Sequence, residues 1–204
     1  MKQLISVDDA VALVLKDTAA LPAEMTPLHE AAWRVLTKDI VALRTQPPFD
    51  AAAMDGYAVC DTDAHQGAEL NVIGESAAGR AFDGMVLPGQ TVRIFTGAPV
   101  PQGAGTVIMQ EDINVASPGN IRIDAPVQAG RHVRTRGLDF AEGKPLLAKG
   151  VLLDAANLSL AAAGGHPELP VVRRPRLAIL ATGDELVAPG MTPGSDQIVA
   201  SNGF

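Results

Sequence analysis

The sequence predicts an α+β fold in which helical segments flank a β-rich domain and the start of an α/β domain follows. Three observations lead to this prediction. Apolar residues recur with helical spacing before residue 47 and again after residue 153. Short strand-like runs separated by glycine and proline fill residues 47–143. One continuous apolar run covers residues 177–181 and is typical of a strand buried on both faces of a parallel sheet.

These observations divide the chain into three domains. The simplest arrangement packs residues 1–46 and 147–175 together as a helical domain. The β-rich domain, residues 47–146, is then inserted between them as an arm. Residues 176–204 begin the α/β domain, in which ligands bind beyond the carboxyl ends of the strands.

Composition excludes several classes of protein. No apolar run approaches the ~20 residues that a membrane helix needs, and the net charge of −7 argues against general binding of nucleic acid. Cys60 is the only cysteine, so neither an internal disulfide nor a cysteine-based zinc site can form. The four histidines show no metal-ligand spacing. We expect a soluble cytoplasmic protein in which Cys60 is a small buried residue.

Two helices are predicted near the start of the chain. The first runs from Ser6, which can cap it together with Asp9, to about Lys16. The second begins at Thr26-Pro27, because proline suits the first helical position. Each has an apolar stripe that we interpret as a core face. The stripes are Val7, Ala10, Val11, Val14 and Leu15 in the first helix, and Leu28, Ala31, Ala32, Val35 and Leu36 in the second.

Short strands and one more helix follow. A third helix is predicted over residues 155–163, because Asp154 can cap its start and Gly164-Gly165 can end it. Before it, strands are predicted after Gly56 and at residues 70–73, 92–95, 106–109 and 121–123.

Three polar turns follow or precede apolar runs and could converge on one site. Asp55-Gly56 is a common turn dipeptide, and Thr96-Gly97 could simply end a strand, so both have a structural explanation. Thr96 and the neighbouring N–H groups could instead hold an anionic oxygen, with Gly97 permitting close approach. Thr182 and Glu185 form a T-x-x-E capping box at the start of a helix or turn, and a cap and a catalytic acid are equally good interpretations.

An arginine-rich stretch, Arg131–Arg136, precedes Gly137-Leu138-Asp139. Arg134 and Arg136 would project from one face of an extended chain, which suits bidentate recognition of phosphate. A solvated basic face is the alternative.

Three motifs give a family resemblance. The segments Pro47–Val59, Arg93–Pro101 with the following Val107–Glu111, and Leu177–Gly190 resemble, in order and spacing, the molybdopterin molybdenumtransferases, called MoeA in bacteria and related to the gephyrin E domain. The resemblance covers most of residues 30–202. Because members of this family are much longer, we expect this chain to be an N-terminal portion with a truncated, molybdopterin-binding-like α/β domain.

The resemblance implies a reaction and a set of site residues. The reaction is insertion of molybdenum from molybdate into adenylylated molybdopterin, with release of AMP and assistance from Mg²⁺. Members form homodimers, and the molybdopterin adenylyltransferase is a further expected partner. By resemblance, the catalytic residues are Asp55, Thr96 and Glu185, with Asp55 a general base or metal-associated carboxylate and Glu185 a Mg²⁺ or molybdate-pocket residue. The implied substrate-binding residues are Gly97, Arg134, Asp139 and Thr182.

The chain departs from the family pattern in places. Ala51-Ala52 stands where Asn-Ser is common, Leu138 replaces a glutamate, and Phe140 replaces a smaller aliphatic residue. We expect the 204-residue chain to be inactive alone. Two other functions stay open: a non-catalytic dimerisation or scaffold module, as in related animal proteins, and a generic nucleotide-phosphate binder.

Overall fold

The structure is a computed structural model that describes residues 5–203. The chain forms two units: a central unit, Met25–Val171, and a terminal unit, Met1–Glu24 with Val172–Phe204. Both helices and strands are present, and strands predominate, as an α+β fold requires. Within residues 5–203, no helix combines the length and apolar character that a membrane span needs.

The described part of the chain contains two α-helices, α1 (Val7–Leu15) and α2 (Ala155–Ala163). Short 3₁₀ helices cover Leu28–Glu30, Asp61–Asp63 and Gln110–Asp112. The strands are β1 (Ala23–Pro27), β2 (Ile40–Val41), β3 (Ala51–Ala52), β4 (Gly56–Val59), β5 (Glu69–Ser76), β6 (Gln90–Ile94), β7 (Thr106–Met109), β8 (Ile113–Ser117), β9 (Asn120–Ile123), β10 (Val133–Arg134), β11 (Pro145–Leu147), β12 (Glu168–Val172), β13 (Leu186–Val187) and β14 (Ile198–Val199).

A six-stranded sheet with the order β7-β4-β6-β5-β9-β8 forms the β-rich part of the central unit. Strand β4 lies between β6 and β7 and is antiparallel to both, whereas β5 and β6 are parallel. The strands predicted after Gly56 and at 70–73, 92–95, 106–109 and 121–123 are confirmed, with ends that differ by a few residues. Their inward side chains build three apolar clusters around the sheet.

A separate core cluster of the central unit joins two distant parts of the sequence. Residues 31–40 contribute Ala31, Leu36 and Ile40, and residues 147–171 contribute the rest. The sequence analysis assigns both parts to one domain, and the boundaries at residues 46 and 147 stay a prediction. The rest of the cluster is Leu147, Leu153, Ala161, Leu169 and Val171.

Two of the three predicted helices are confirmed. The Ser6 hydroxyl accepts a hydrogen bond from the Asp9 N–H at the start of α1, and Asp154 accepts one from the Asn157 N–H at the start of α2. Gly165 follows α2 with φ of 96°, the left-handed conformation that ends helices. No residue of α1 is buried among residues 5–203, so the predicted core face of this helix is exposed there.

The helix predicted from Thr26-Pro27 is wrong. Residues 23–27 form β1 and pair with β12, and only one short 3₁₀ turn follows. Two features stop a helix here. The N–H groups of Leu28 and Leu36 bond to Pro167 and Val151 instead of to the preceding turn. Trp33 adopts φ of 60°, which an α-helix cannot accommodate. Long-range pairing therefore overrides the apolar periodicity.

The strand predicted at residues 177–181 is also wrong. These residues form no strand, and Leu177 and Leu180 are 84% and 86% exposed. A strand of this kind needs partners on both sides, and no described residue pairs with this run. The T-x-x-E motif at Thr182 and Glu185 lies at a turn and not at a helix: the N–H of Leu186 donates to the carbonyl of Gly183, and β13 follows.

Gly56 determines how closely the strands beside it can approach. It opposes Ile94 of β6 and Met109 of β7. A Cβ atom at this position would overlap the carbonyl oxygen of Ile108. Because that obstacle is the backbone of a paired strand, it cannot rotate away as a side chain can, so only glycine fits here.

We therefore expect Gly56→Ala to lower the free energy of unfolding of the central unit by at least about 2 kcal/mol, as forced overpacking does. Gly74→Ala is the matched comparison. Its Cβ would contact the Phe82 ring, a side chain that can move. Urea unfolding of the two variants tests this order of stability, and a Gly56→Ala protein as stable as Gly74→Ala would contradict it.

Candidate functional site

The turn before β4 and the turn after β6 meet through Asp55 and Thr96. Asp55 Oδ1 accepts hydrogen bonds from both the backbone N–H and the hydroxyl of Thr96, each at 2.7 Å. This contact follows from the register that pairs Gly56 with Ile94, because the start of β4 then lies beside the end of β6. Both side chains are exposed, so the pair faces solvent and is open to a ligand.

These contacts control the charge of Asp55. The pKa of its carboxyl group is lowered, first by the hydrogen bond from the Thr96 N–H and then by that from the Thr96 hydroxyl. Desolvation opposes this shift, and the positive charge of Arg93 adds the smallest lowering effect. Asp55 is therefore ionised at neutral pH. Its second oxygen, Oδ2, accepts no hydrogen bond from the described residues and is available to a metal ion or a donor on a ligand.

The turn at Thr96-Gly97 does not form the anion-binding loop that the sequence suggests. Gly97 adopts φ of 80°, and its N–H donates to the carbonyl of Ala52 at 2.8 Å. The N–H of Ala98 donates to Phe95. Since the N–H of Thr96 is bonded to Asp55, the three amides of this turn are all used within the protein. An anion at this site must be held by other groups.

A cleft of about 420 Å³ lies beside this turn. Its walls come from three segments, residues 46–53, Thr96-Gly97, and Arg134 with Asp139. The first segment enters through a cis peptide bond at Gln46-Pro47. Strand β3 pairs with β10, with Arg134 opposite Ala51, which brings the arginine to the cleft.

The cationic side of the cleft is formed by Arg134, which pairs with Asp139 and keeps part of its side chain exposed. Arg134 Nη2 donates to Asp139 Oδ1 at 2.8 Å, and both side chains are about half exposed, at 47% and 43%. Arg136 points elsewhere: its N–H donates to Asp50 and its Nε to the carbonyl of Pro48. Arg136 thus secures the wall of the cleft, and Arg134 is the arginine that lines it.

The structure brings five of the seven predicted site residues together. Thr96, Gly97, Arg134 and Asp139 line the cleft, and Asp55 is bonded to Thr96. The remaining two, Thr182 and Glu185, belong to the terminal unit.

Within the terminal unit, Thr182 borders a cleft of about 350 Å³. Glu185 is exposed there, and its carbonyl accepts the N–H of Ile198 at 2.7 Å. The roles assigned to these two residues by resemblance stay predictions.

The departures from the family pattern lie in the cleft or at its edge. Ala51 and Ala52 are only 6% and 1% exposed, so their methyl groups pack inward. Larger polar side chains would need space that this fold fills. Leu138 is exposed, next to the Asp139 that holds Arg134.

Sequence reasoning missed two groups around this site. Pro47, Pro48 and Phe49 line the cleft. Arg93 and Gln110 lie beside the Asp55 turn and contact each other. All of them are in the motifs quoted above. Their position next to the candidate residues could have indicated that they lie near the site.

Metal binding by protein side chains alone is not supported in the described part of the chain. Over residues 5–203, histidine, cysteine, aspartate and glutamate side chains nowhere form a group of three that could hold a metal ion. Asp55 supplies one carboxylate, so a hard cation there would need further oxygen ligands from a substrate or water.

Comparison with known proteins gives consistent results. Residues 5–165 match the family described as "MoeA N-terminal region (domain I and II)". The molybdopterin molybdenumtransferase of Haemophilus influenzae is 38% identical over 89% of this chain and 45% of its own length. Molybdopterin molybdenumtransferase 2 of Mycobacterium tuberculosis is 39% identical, over 86% of this chain and 44% of its own length.

Solved structures agree. The crystal structure of the molybdopterin biosynthesis moeA protein from Pyrococcus horikoshii OT3 matches with a TM-score of 0.83 and 34% identity, covering 98% of this chain and 55% of that protein. The chain spans less than half the length of the two relatives above.

The lowered pKa of Asp55 predicts a pH-dependent contribution to stability. Its folded-state pKa lies below the usual 3.8, so the ionised group stabilises the fold above that pH, and the contribution is lost as the pH falls through the folded-state value. Asp55→Asn should therefore be less stable than the original protein at pH 7, with the difference in stability closing as the pH falls from 3.8 through the folded-state pKa.

Urea unfolding across this pH range measures the difference, and Thr96→Val supplies the control. In a Thr96→Val background the Asp55→Asn substitution should lower the free energy of unfolding by less, because the hydrogen bond from the Thr96 hydroxyl is already absent. Two results would contradict the lowered pKa of Asp55 and its cause. One is a stability difference between Asp55→Asn and the original protein that persists unchanged at low pH, and the other is an equal loss of stability with and without Thr96→Val.

Proposed function

Because the chain belongs to the MoeA N-terminal region family, we propose that it supplies the N-terminal part of an enzyme that inserts molybdenum into molybdopterin. In this proposal the whole enzyme transfers molybdenum from molybdate to adenylylated molybdopterin and releases AMP. The supporting observation is a cleft lined by Arg134, an arginine with a free face, and by Thr96, which binds the ionised carboxylate of Asp55 beside the cleft. That pairing suits a substrate that carries both phosphate groups and a metal ion.

The state of Asp55 favours one of its two proposed roles. An effective general base has a pKa near the working pH, whereas hydrogen bonds from Thr96 lower the pKa of Asp55 below its ordinary value. Asp55 is thus a weak base and a good oxygen ligand. We assign it the role of a carboxylate that binds a metal ion or orients a donor group of the substrate, with Thr96 holding it in place.

Arg134 is the group proposed to bind the phosphoanhydride. Its bond to Asp139 uses one amino group, and guanidinium has five N–H donors in a planar fork. The remaining donors can bind a phosphate oxygen, with charge-assisted hydrogen bonds. Asp139 then orients the arginine. Anion binding depends on this side chain because the amides of the Thr96 turn are occupied.

The proposed Mg²⁺ fits this donor set when the substrate completes it. Mg²⁺ often binds through one or two carboxylates together with substrate phosphates and water, and Asp55 Oδ2 is a free carboxylate oxygen beside the cleft. When bound, the ion would neutralise charge on phosphate oxygens as AMP departs. By the family resemblance, Glu185 is also proposed as a Mg²⁺ or molybdate-pocket residue and Thr182 as a substrate-binding residue.

A second candidate function is a non-catalytic assembly module, and one observation favours it. Helix α1 exposes the apolar side chains of Val7, Val11 and Val14, and contiguous exposed apolar surface commonly marks an interface. A second copy of the chain would cover this face in the homodimer proposed by resemblance. Such a dimer serves either function, so assembly alone does not decide between them.

The decisive experiment measures molybdate- and Mg²⁺-dependent release of AMP from adenylylated molybdopterin. It compares the 204-residue chain, the full-length gene product, and that product with Asp55→Asn. We expect activity only in the full-length product, and a loss of at least about 100-fold in kcat for Asp55→Asn, as for removal of a group that acts on the reacting atoms.

Asp124→Asn is the matched control. Asp124 is an exposed aspartate paired with Arg122, outside the residues that line the cleft. It should keep the original activity. A full-length protein that is inactive under conditions where a relative is active would contradict the proposed enzymatic function. The assembly module would then be the remaining candidate function. An active Asp55→Asn protein would remove Asp55 from the mechanism.

A further inference from the structure

Arg93 lies at the centre of a set of contacts that the proposed reaction does not use. It is on β6, directly opposite Tyr57 of β4. Its guanidinium carbon is 5.0 Å from the ring centroids of both Tyr57 and Phe95, so the cation lies over two aromatic rings. This arrangement limits the positions that the guanidinium can take.

The guanidinium of Arg93 joins two backbone turns. Its Nη1 donates to the carbonyl of Gly56 at 3.2 Å, and its Nη2 donates to Gln110 Oε1 at 2.6 Å. The backbone N–H of Gln110 donates in turn to the carbonyl of Asp55 at 3.1 Å. Two successive peptide groups are thus fixed, the Gly56–Tyr57 peptide by Arg93 directly and the Asp55–Gly56 peptide through Gln110.

We propose that Arg93 is a positioning residue that, together with Gln110, clamps the Asp55–Gly56 turn and aims the Asp55 carboxylate at Thr96. Asp55 is exposed, and an exposed carboxylate on a free turn would sample several rotamers. Arg93 and Gln110 hold the backbone of the Asp55–Gly56 turn, and Thr96 holds the Asp55 side chain. Neither Arg93 nor Gln110 lines the cleft, so both act through Asp55.

The alternative is that Arg93 only stabilises the sheet. Lysine distinguishes the two roles, because it keeps the charge and the aliphatic stem but replaces a rigid fork with a single point donor. Arg93→Lys can still stack near Tyr57 and Phe95, but it cannot hold Gly56 and Gln110 in the same way. If Arg93 acts as a clamp, Arg93→Lys therefore weakens its hold on Gly56 and Gln110 while the stability of the sheet is largely kept.

The test is an NMR comparison, at pH 7, of the original chain with Arg93→Lys, Arg93→Gln and Arg122→Gln. Arg122 is the matched control, an arginine on β9 of the same sheet that pairs with Asp124. The first readout is hydrogen exchange of the Gln110 amide relative to the Ala58 amide in the middle of β4. The second is the chemical shift of the Thr96 amide proton, which reports its short bond to Asp55.

We expect Arg93→Lys and Arg93→Gln to speed exchange at Gln110 about fivefold relative to Ala58, as expected for loss of about one hydrogen bond. The Thr96 amide proton should also move upfield in both variants. Arg122→Gln should change neither readout.

Unchanged values for Arg93→Lys would overturn the proposal, even if Arg93→Gln does not fold. Faster exchange at Gln110 and Ala58 to the same extent would show a role in sheet stability alone and would overturn it too. The importance of the clamp for catalysis rests on the proposed function, but these readouts do not involve activity, so the two proposals fail separately.

Discussion

The site depends on one interaction, the pair of hydrogen bonds by which Thr96 holds a single oxygen of Asp55. It joins the turn before β4 to the turn after β6, and it exists only because these two strands are neighbours in the sheet. Gly56 lies at the same junction and permits the close approach of β7 on the other side of β4, where a side chain would collide with the β7 backbone. Close strand packing, the meeting of two turns and the ionised state of one carboxylate are thus successive consequences of the same arrangement.

Because the amides of the Thr96 turn are occupied, the two sides of the cleft offer different groups to a ligand. With their N–H groups bonded to Asp55, Ala52 and Phe95, this side offers negative charge and no free backbone donors. Positive charge comes from Arg134, on the segment that pairs with β3. A ligand with both a cation and phosphate groups matches this separation of charge. A ligand with phosphate alone would meet the repulsion of Asp55.

Local signals in the sequence predicted some elements well. Helix α2 was predictable because a capping aspartate and two glycines mark its ends. The meeting of the Asp55 and Thr96 turns was predictable because each turn borders an apolar strand, whereas the roles proposed for the two side chains come from the family resemblance. The helix expected at Thr26-Pro27 failed because Leu28 and Leu36 bond to residues more than a hundred positions away. No local pattern contains that information. The contact of Arg93 with Gln110 was also hidden, because it depends on strand β4 lying between β6 and β7 in the sheet. The ion pair of Arg134 with Asp139 depends on the conformation of the turn between them.

The measurement that most directly tests this account is a map of ligand contacts on the isotope-labelled full-length protein. Amide spectra would be recorded as adenylylated molybdopterin and Mg²⁺ are added. The account predicts the largest shifts at Ala53, Thr96, Gly97 and Arg134, which line one cleft, and none at Gly67 or Gly119, which lie outside it. Shifts that concentrate elsewhere in the central unit, or that leave Thr96 and Arg134 unchanged, would show that this cleft is not the substrate site.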